Sequence, residues 1–448
     1  MKLKRTLCCG VILTVGLIGL SRQAQGNDWP QWLGPQRDAV WRESGIVSSF
    51  SAAGPEVLWR VPVGGGYSGP AVVDAKVYLT DRQLAKGASN PSDPFSRSSI
   101  AGTERILCLR ESDGKLLWKH EYASAYTVSY AAGPRTTPSV ADGRVFTLGA
   151  EGDLFCLDAV TGTVLWSRQF KKDFGIETPL WGFSAHPLID GNKLICLAGG
   201  DGSTVVAFDT RSGKELWRAL SAKEPGYAPP MIYSFGGRRE LIVWHPESIN
   251  GLDPETGKVY WTEPFEVRSG LSVPTPRQVG NRLFLTCFYN GSKMMEIGSS
   301  GAKTLWQTRK ASEKDTEMLH SIISTPYADE RNIFGVCSYG QLRCLDPDTG
   351  ERRWETLQAT TPDGKPARWA NAFLVKQADQ FFIWNEKGDL IIARLDSAGY
   401  HEISRAHLLD PTNTAQGRDV VWSHPAFANR RMYARNDSEI ICVSLATK

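Results

Sequence analysis

The sequence predicts an all-β chain folded as an eight-bladed β-propeller of four-stranded antiparallel blades, and three observations carry that prediction. The first is composition: 15 Trp, 43 Gly and 25 Pro in 448 residues suit many short strands and turns better than helices. The second is a repeated phrase. LRESDGKLLW (109–118), LDAVTGTVLW (157–166), FDTRSGKELW (208–217), LDPETGKVYW (252–261) and CLDPDTGERRW (344–354) share one frame, and IGSSGAKTLW (297–306) is a looser copy. Trp118, Trp166, Trp217, Trp261, Trp306 and Trp354 follow one another at gaps of 48, 51, 44, 45 and 48 residues, the period of a propeller blade. The third lies at the two ends. PEVLWRVPV (55–63) reads as a fourth strand, Trp59 aligned with Trp118, with no three strands before it, whereas residues 422–445 supply three strands and stop. An N-terminal strand pairing with the C-terminal blade closes the ring.

Taken in chain order, residues 1–26 combine a basic start (Lys2, Lys4, Arg5), an apolar run from about Leu7 to Leu20 and a small-residue site at Ala24-Gln25-Gly26. That is the pattern of a cleaved secretory signal. A membrane anchor is the alternative, but the apolar run is shorter than the roughly 20 residues a spanning helix needs. The expected product is therefore exported, periplasmic or extracellular, with no stable membrane span after cleavage. A lipidated form would need a cysteine directly after the apolar run, and Cys8 and Cys9 lie at its start. Residues 27–54 form a Trp-rich arm, and 55–448 the propeller.

One blade can be read in full. PSVADGRVFTLGAEGDLFCLDAVTGTVLW (138–166) is a strand, a turn at Asp142-Gly143, a strand, a turn at Glu151-Gly152, a third strand, the Asp-x-x-Thr-Gly turn, and a fourth strand ending in Trp166. Blades start near Tyr67, Thr136, Phe183, Tyr227, Leu271, Ile322, Trp369 and Trp422. The seventh is degenerate, with Ser404 in the tryptophan position. Residues 82–105 expand the first blade between its second and third strands and read as an exposed polar loop, disordered or a partner contact.

The turn Asp346-Pro-Asp348-Thr-Gly350 looks at first like the opening of a calcium loop, but its downstream ligand positions are missing. Its recurrence along the chain makes it a hairpin turn, with the aspartate accepting turn N–H groups. Each terminal tryptophan, Trp59, Trp118, Trp166, Trp217, Trp261, Trp306 and Trp354, is expected to clamp one blade to the next, its ring buried and its indole N–H on a backbone acceptor.

Charge excludes some functions. The signal segment holds four basic residues and no acidic one, which leaves 51 − 4 = 47 basic against 48 acidic residues in the mature chain. No basic tract remains for nucleic acid or an anionic membrane. Seven cysteines remain (Cys108, Cys156, Cys196, Cys287, Cys337, Cys344 and Cys442), odd in number and widely spaced, and they read as small buried core residues rather than a disulfide framework. Phosphate-loop, nucleophile-elbow, HExxH and CxxC motifs are all missing, and no two histidines sit at metal-ligand spacing on one element. No catalytic or metal residue is assigned.

The repeated phrase resembles the pyrroloquinoline-quinone-type repeat propellers with their tryptophan-docking motif, across roughly residues 55–448. That resemblance implies one of two functions. Quinoprotein alcohol dehydrogenases are eight-bladed and hold the quinone (PQQ) with calcium in the central channel, many beneath a disulfide between adjacent cysteines. This chain has no adjacent cysteine pair after residue 26, no convincing calcium set and no long inter-blade insertions, although NDWPQWLGPQRDAV (27–40) is similar to the Trp-rich start of such proteins. The BamB-like branch comprises exported, non-catalytic propellers that bind protein partners and no quinone. The resemblance to that branch is greater, so an interaction scaffold or ligand-binding module, monomeric and without cofactor, is the first expectation; a PQQ-dependent dehydrogenase of an alcohol or sugar is the alternative.

Candidate binding residues come from the loops that precede the innermost strands and converge on one mouth of the channel: Tyr67, Arg135, Phe183, His186, Tyr227, His320, Trp369, Trp422 and His424. Aromatic and cationic side chains there suit a flat or polar small ligand. The same residue types also serve packing between neighbouring blades, and the sequence leaves both readings open.

Overall fold

The computed structural model describes residues 27–361 and 363–447; the expected signal segment lies outside them. Eight four-stranded antiparallel sheets make the ring. Blade 1 comprises Ala71–Val73, Lys76–Leu84, Gly102–Arg110 and Leu116–Ala123. Blades 2 to 7 span residues 139–169, 188–219, 231–264, 277–307, 327–356 and 372–407. Blade 8 takes Ala426–Ala428, Arg431–Arg435 and Glu439–Ser444 from the C-terminal end, and Val57–Pro62 as its outermost strand. Trp59 faces Cys442 and Arg60 faces Ile441, so the expected closure is present.

The turn chemistry follows the repeated phrase. Asp158 accepts the backbone N–H groups of Val160 (3.0 Å) and Thr161 (2.8 Å), and Asp346 those of Asp348 (2.7 Å) and Thr349 (3.2 Å). Glycine at the end of the turn answers two demands at once. Gly162 has φ +73°, and a Cβ there would stand 2.5 Å from the Trp118 ring of the preceding blade. The tryptophan of one blade therefore lies on the turn of the next. The Trp118 indole donates to Ala159 O (3.3 Å), Trp166 to Thr210 O (3.1 Å), Trp306 to Pro347 O (3.1 Å), Trp354 to Asp396 O (2.7 Å) and Trp59 to Glu111 O (2.9 Å). Two tryptophans depart from the expected backbone acceptor: the Trp217 indole N–H is buried without a partner, and before the short Gly298–Gly301 turn of the next blade the Trp261 indole turns to the buried Glu240 carboxylate of its own blade (2.6 Å).

Beneath every ring but that of Trp306, which faces Met294, the neighbouring strand carries a small residue that leaves room for it. Cys108 faces Trp118, Cys156 faces Trp166, Ala207 faces Trp217, Gly251 faces Trp261 and Cys344 faces Trp354. With Cys442, which faces Trp59, this accounts for four of the seven spread-out cysteines. Cys108, Cys156, Cys344 and Cys442 lie in different blades, and all seven cysteines from Cys108 to Cys442 are buried and free. Burial pushes the Cys108 and Cys156 thiols up to about 12, so they are inert packing groups.

The insertion in blade 1 is shorter and better packed than the sequence suggests. Its strands continue to Leu84 and resume at Gly102. Arg82 and Glu104, expected in an exposed loop, are buried: Arg82 donates to Ala131 O (2.9 Å) and Ile100 O (2.6 Å), and Glu104 accepts the hydroxyls of Tyr122 and Tyr126. At these two positions the polar letters belong to a buried network, whereas the Ser-, Asn- and Pro-containing residues 85–99 are mostly exposed, as expected. Only the connection 85–101 leaves the sheet.

The Trp-rich arm does not hang from the ring. It enters the channel from the face carrying the first hairpin turns, where Asn27 O accepts Asn429 N–H and the Glu43 carboxylate accepts Arg430 N–H. Trp29 pairs with Val72 in blade 1, Pro30 O accepts Val140 N–H in blade 2, and Trp41 N–H donates to Lys376 O in blade 7. Buried Arg37 donates to Pro187 O (3.0 Å), and its own carbonyl accepts Arg277 of blade 5 (2.9 Å). One segment thus ties opposite sides of the ring.

Candidate ligand site in the channel

The connections from each outermost strand to the next innermost strand meet at one mouth of the channel. Between this mouth and the arm lies a cavity of about 180 Å³. Its floor is Trp32. The indole stacks flat on His186, with centroids 4.0 Å apart and planes 8° apart, lies 4.6 Å from the His424 ring, and donates to Thr275 Oγ1 (3.1 Å). Its upper rim is a triangle of rings: Tyr130 stands 5.9 Å from both Trp369 and Trp422, which are 6.5 Å apart. Phe95, from the blade 1 insertion, packs edge-on against Tyr130 (5.5 Å) and Trp369 (6.2 Å).

Seven of the nine residues expected at the mouth line this cavity: Tyr67, Arg135, His186, Tyr227, Trp369, Trp422 and His424. Phe183 and His320 do not, and the difference has a local cause in each loop. After blade 2 the chain forms a short helix, Phe170–Phe174, and Phe183 packs edge-on against Phe170 at 5.5 Å; Trp181 and Ser184 face the cavity in its place. His320 is fully buried with Nδ1 on Phe288 O (3.1 Å), and Ile322 and Ile323 face the cavity from that loop. Sequence reasoning missed Tyr130 and Trp181, which lie earlier in their loops than the residue next to the strand. It also missed Trp32, whose place in the channel depends on a fold-back that no local pattern announces.

The electrostatics are those of a nearly uncharged box. Thr137 N–H donates to His186 Nδ1 (2.9 Å), fixing that nitrogen as an acceptor. Burial, with Arg37 and His424 nearby, keeps His186 well below the ordinary imidazole range, and burial pulls His424 down to about 3, so both rings are neutral at physiological pH. Among the described residues Arg135 is the one charged side chain in the lining. Its guanidinium is engaged by the carbonyls of Gly133, Ser129 (2.7 Å) and Tyr130 (2.9 Å), and stands 5.2 Å from the Tyr67 ring centre. His424 Nε2 and the Trp369 indole N–H are buried without a hydrogen-bond partner. The backbone is strained at the rim, where Tyr130 (φ 53°) and Trp369 (φ 63°) both adopt the left-handed conformation.

A family model described as the outer membrane protein assembly factor BamB matches residues 102–356 and, in a second overlapping match, 202–448. The chain belongs to the BamB family. The BamB of Burkholderia pseudomallei is 24% identical over 236 residues, 51% of this chain and 58% of that one. The BamB of Escherichia coli K12 is 24% identical over 180 residues, 39% and 41% of the two chains. The chain spans about half the length of the curated relatives it matches. A quinoprotein ethanol dehydrogenase of Pseudomonas aeruginosa is 27% identical over 146 residues, 30% of this chain and 23% of that one. Among solved structures, BamB from Moraxella catarrhalis superposes with a TM-score of 0.50 at 18% identity, covering 82% of this chain and 97% of that one. A quinohemoprotein alcohol dehydrogenase from Pseudomonas putida gives 0.56 at 13% identity, covering 95% and 81%. Both share the propeller fold with this BamB-family chain.

The second of those folds raises the question of a quinone with calcium. Calcium takes six to eight oxygen ligands, carboxylates foremost. The cavity lining contains no Asp, Glu or Asn, and no group of three or more His, Cys, Asp or Glu able to hold a metal occurs among the described residues. The quinone itself is a tricarboxylate, and the one guanidinium here is already held by three carbonyls. The residues present do not fit the calcium-bound quinone.

Proposed function

We propose that this BamB-family propeller is an exported, non-catalytic binding protein, a protein-interaction scaffold of outer-membrane assembly whose channel also forms a ligand site. One observation carries the reading: the channel is stoppered by Trp32, rimmed by aromatic rings and, among the described residues, lined by no carboxylate to orient or relay a proton for its two buried, neutral histidines. Catalysis needs positioned groups of that kind; binding needs shape and apolar area. Membership of a family described by an assembly role supports the scaffold reading, and the basic, apolar and small-residue pattern of residues 1–26 supports export. Among the described residues no helix is long and apolar enough to cross a membrane.

The test has two arms. The purified mature chain, given the quinone and calcium, should show no stoichiometric quinone binding and no dye-linked alcohol or sugar oxidation; turnover would overturn the non-catalytic reading. Deleting the gene in its host should lower the amount of folded outer-membrane β-barrel protein, and unchanged levels would overturn the assembly role.

A further inference from the structure

We infer that the channel cavity is a site for a small, uncharged, planar aromatic molecule of one or two rings. The inference deepens the binding reading above by naming a ligand class, and it rests on that reading. Size sets the first limit. About 180 Å³ is close to a cavity that accepts benzene, about 150 Å³, and leaves little room beyond a second ring.

Shape sets the second. The lining carries Trp32, Tyr67, Trp181, Tyr227, Trp369 and Trp422, from the arm and from the approaches to five different blades, so flat faces meet the space from several directions. An aromatic guest gains offset-stacked and edge-on contacts with such walls, about 0.5–1.5 kcal/mol per pair beyond area burial. A chain that needed only a filled channel could close this space with aliphatic side chains.

Charge sets the third. Both imidazoles are neutral, and no carboxylate lies in the lining to pair with a cation. The guanidinium of Arg135 is spent on backbone carbonyls, so an anion would have to be desolvated with little return. An uncharged guest meets neither cost. This distinguishes the site from a quinone pocket of the dehydrogenase kind, because the tricyclic tricarboxylate is both too large and too charged.

The rim supports a binding role independently. Tyr130 and Trp369 hold the left-handed backbone conformation that non-glycine residues seldom adopt, and together they place two rings 5.9 Å apart over the cavity. Glycine would relieve the strain but remove the rings. Strain retained at a cavity rim is characteristic of ligand clamps.

The experiment uses the whole mature chain and indole as probe. Isothermal titration should show saturable one-to-one indole binding with a dissociation constant in the micromolar range. Benzoate, of similar size but anionic, should bind at least tenfold more weakly. Ile323→Trp and Ser184→Phe each fill the space from a different loop, and each should weaken indole at least tenfold while circular dichroism reports an intact fold. Absence of saturable binding, equal affinity for benzoate, or full indole affinity in whichever filled variants fold would overturn the inference. Failure of indole binding with no quinone turnover would leave the scaffold reading standing; quinone turnover would overturn the non-catalytic reading itself.

Discussion

Ser404 Oγ accepts the backbone N–H of Phe50 at 3.0 Å, a contact between residues 354 positions apart. It explains the one blade whose repeat lacks its tryptophan. In the other seams, that of Trp261 excepted, the ring lies on the third turn of the following blade, but in blade 8 that turn does not exist, because its third and fourth strands come from opposite ends of the chain. In its place residues 45–56 run beside 444–447: Val47 N–H donates to Leu445 O and Ser444 N–H to Glu56 O. A tryptophan at 404 would meet this segment instead of a glycine turn. Ser404→Trp, although it restores the repeat, should therefore lower stability, by about 1–3 kcal/mol for overpacking. A rise in the urea midpoint would remove the explanation.

The interblade rings should not be equivalent. Trp217 is buried, and Gly257 of the next blade would clash with its ring if it carried a Cβ; Trp354 is only half-buried. Trp217→Ala should cost about 3–5 kcal/mol, the range for a buried aromatic truncation. Trp354→Ala should cost clearly less. Equilibrium denaturation of the two variants checks the order, and a loss below about 0.5 kcal/mol for Trp217→Ala would end the view of the ring as a clamp between blades.

The repeated turns make stability sensitive to acid. The backbone N–H and hydroxyl of Thr161 hold the Asp158 carboxyl below the ordinary aspartate range, and the hydroxyl and backbone N–H of Ser212 do the same for Asp209. Asp346 is likewise lowered, burial being outweighed by the Asp348 N–H and Arg353. With folded values below the unfolded one, about 3.9, the unfolded chain binds more protons as pH falls. This contribution is complete above about pH 5 and is lost as pH drops through the folded values. Asp158→Asn and Asp209→Asn together should flatten the acid limb of a stability profile measured between pH 6 and 3; an unchanged limb would refute the turn carboxylates as its source.

Much of the ring could be read from local spacing, because each blade repeats the same turn and the same ring, and Trp59 in a strand without predecessors announced the closure. The site was less legible. Loop residues next to a strand start, such as Tyr67, Arg135 and Trp422, are placed by the strand and reached the cavity as expected. Tyr130 and Trp181 lie farther out in their loops, and their direction depends on left-handed or glycine-assisted turns at Tyr130 and Gly182. Arg82 and Glu104 misled for another reason: polar letters identify a loop only when their side chains find no hydrogen-bond partners inside, and those partners, here carbonyls and tyrosine hydroxyls, are set by tertiary structure.

The proposed export predicts a defined start. Cleavage after Gly26 would leave Asn27, which is exposed, as the first residue, directly before buried Asp28. Mass spectrometry of the protein recovered from its native host should find Asn27 as the N-terminal residue. A retained Met1 would refute signal cleavage.

Trp32 should matter to the arm, the ring and the cavity together. Its ring stacks on His186 of the approach to blade 3, leans on His424 before blade 8 and bonds Thr275 before blade 5, so it joins three parts of the ring through one side chain. Trp32→Ala removes a buried aromatic and leaves Thr275 Oγ1 without its donor, for a cost of about 3–5 kcal/mol. It also enlarges the cavity downward, which should admit a quencher from the arm side. Acrylamide quenching of the remaining tryptophan fluorescence should rise in Trp32→Ala at a temperature where circular dichroism shows the ring intact. Trp32→Phe keeps the stack and loses only the hydrogen bond, so it should retain low quenching at a cost of about 1–3 kcal/mol. Equal quenching in all three proteins would mean that Trp32 does not seal the channel.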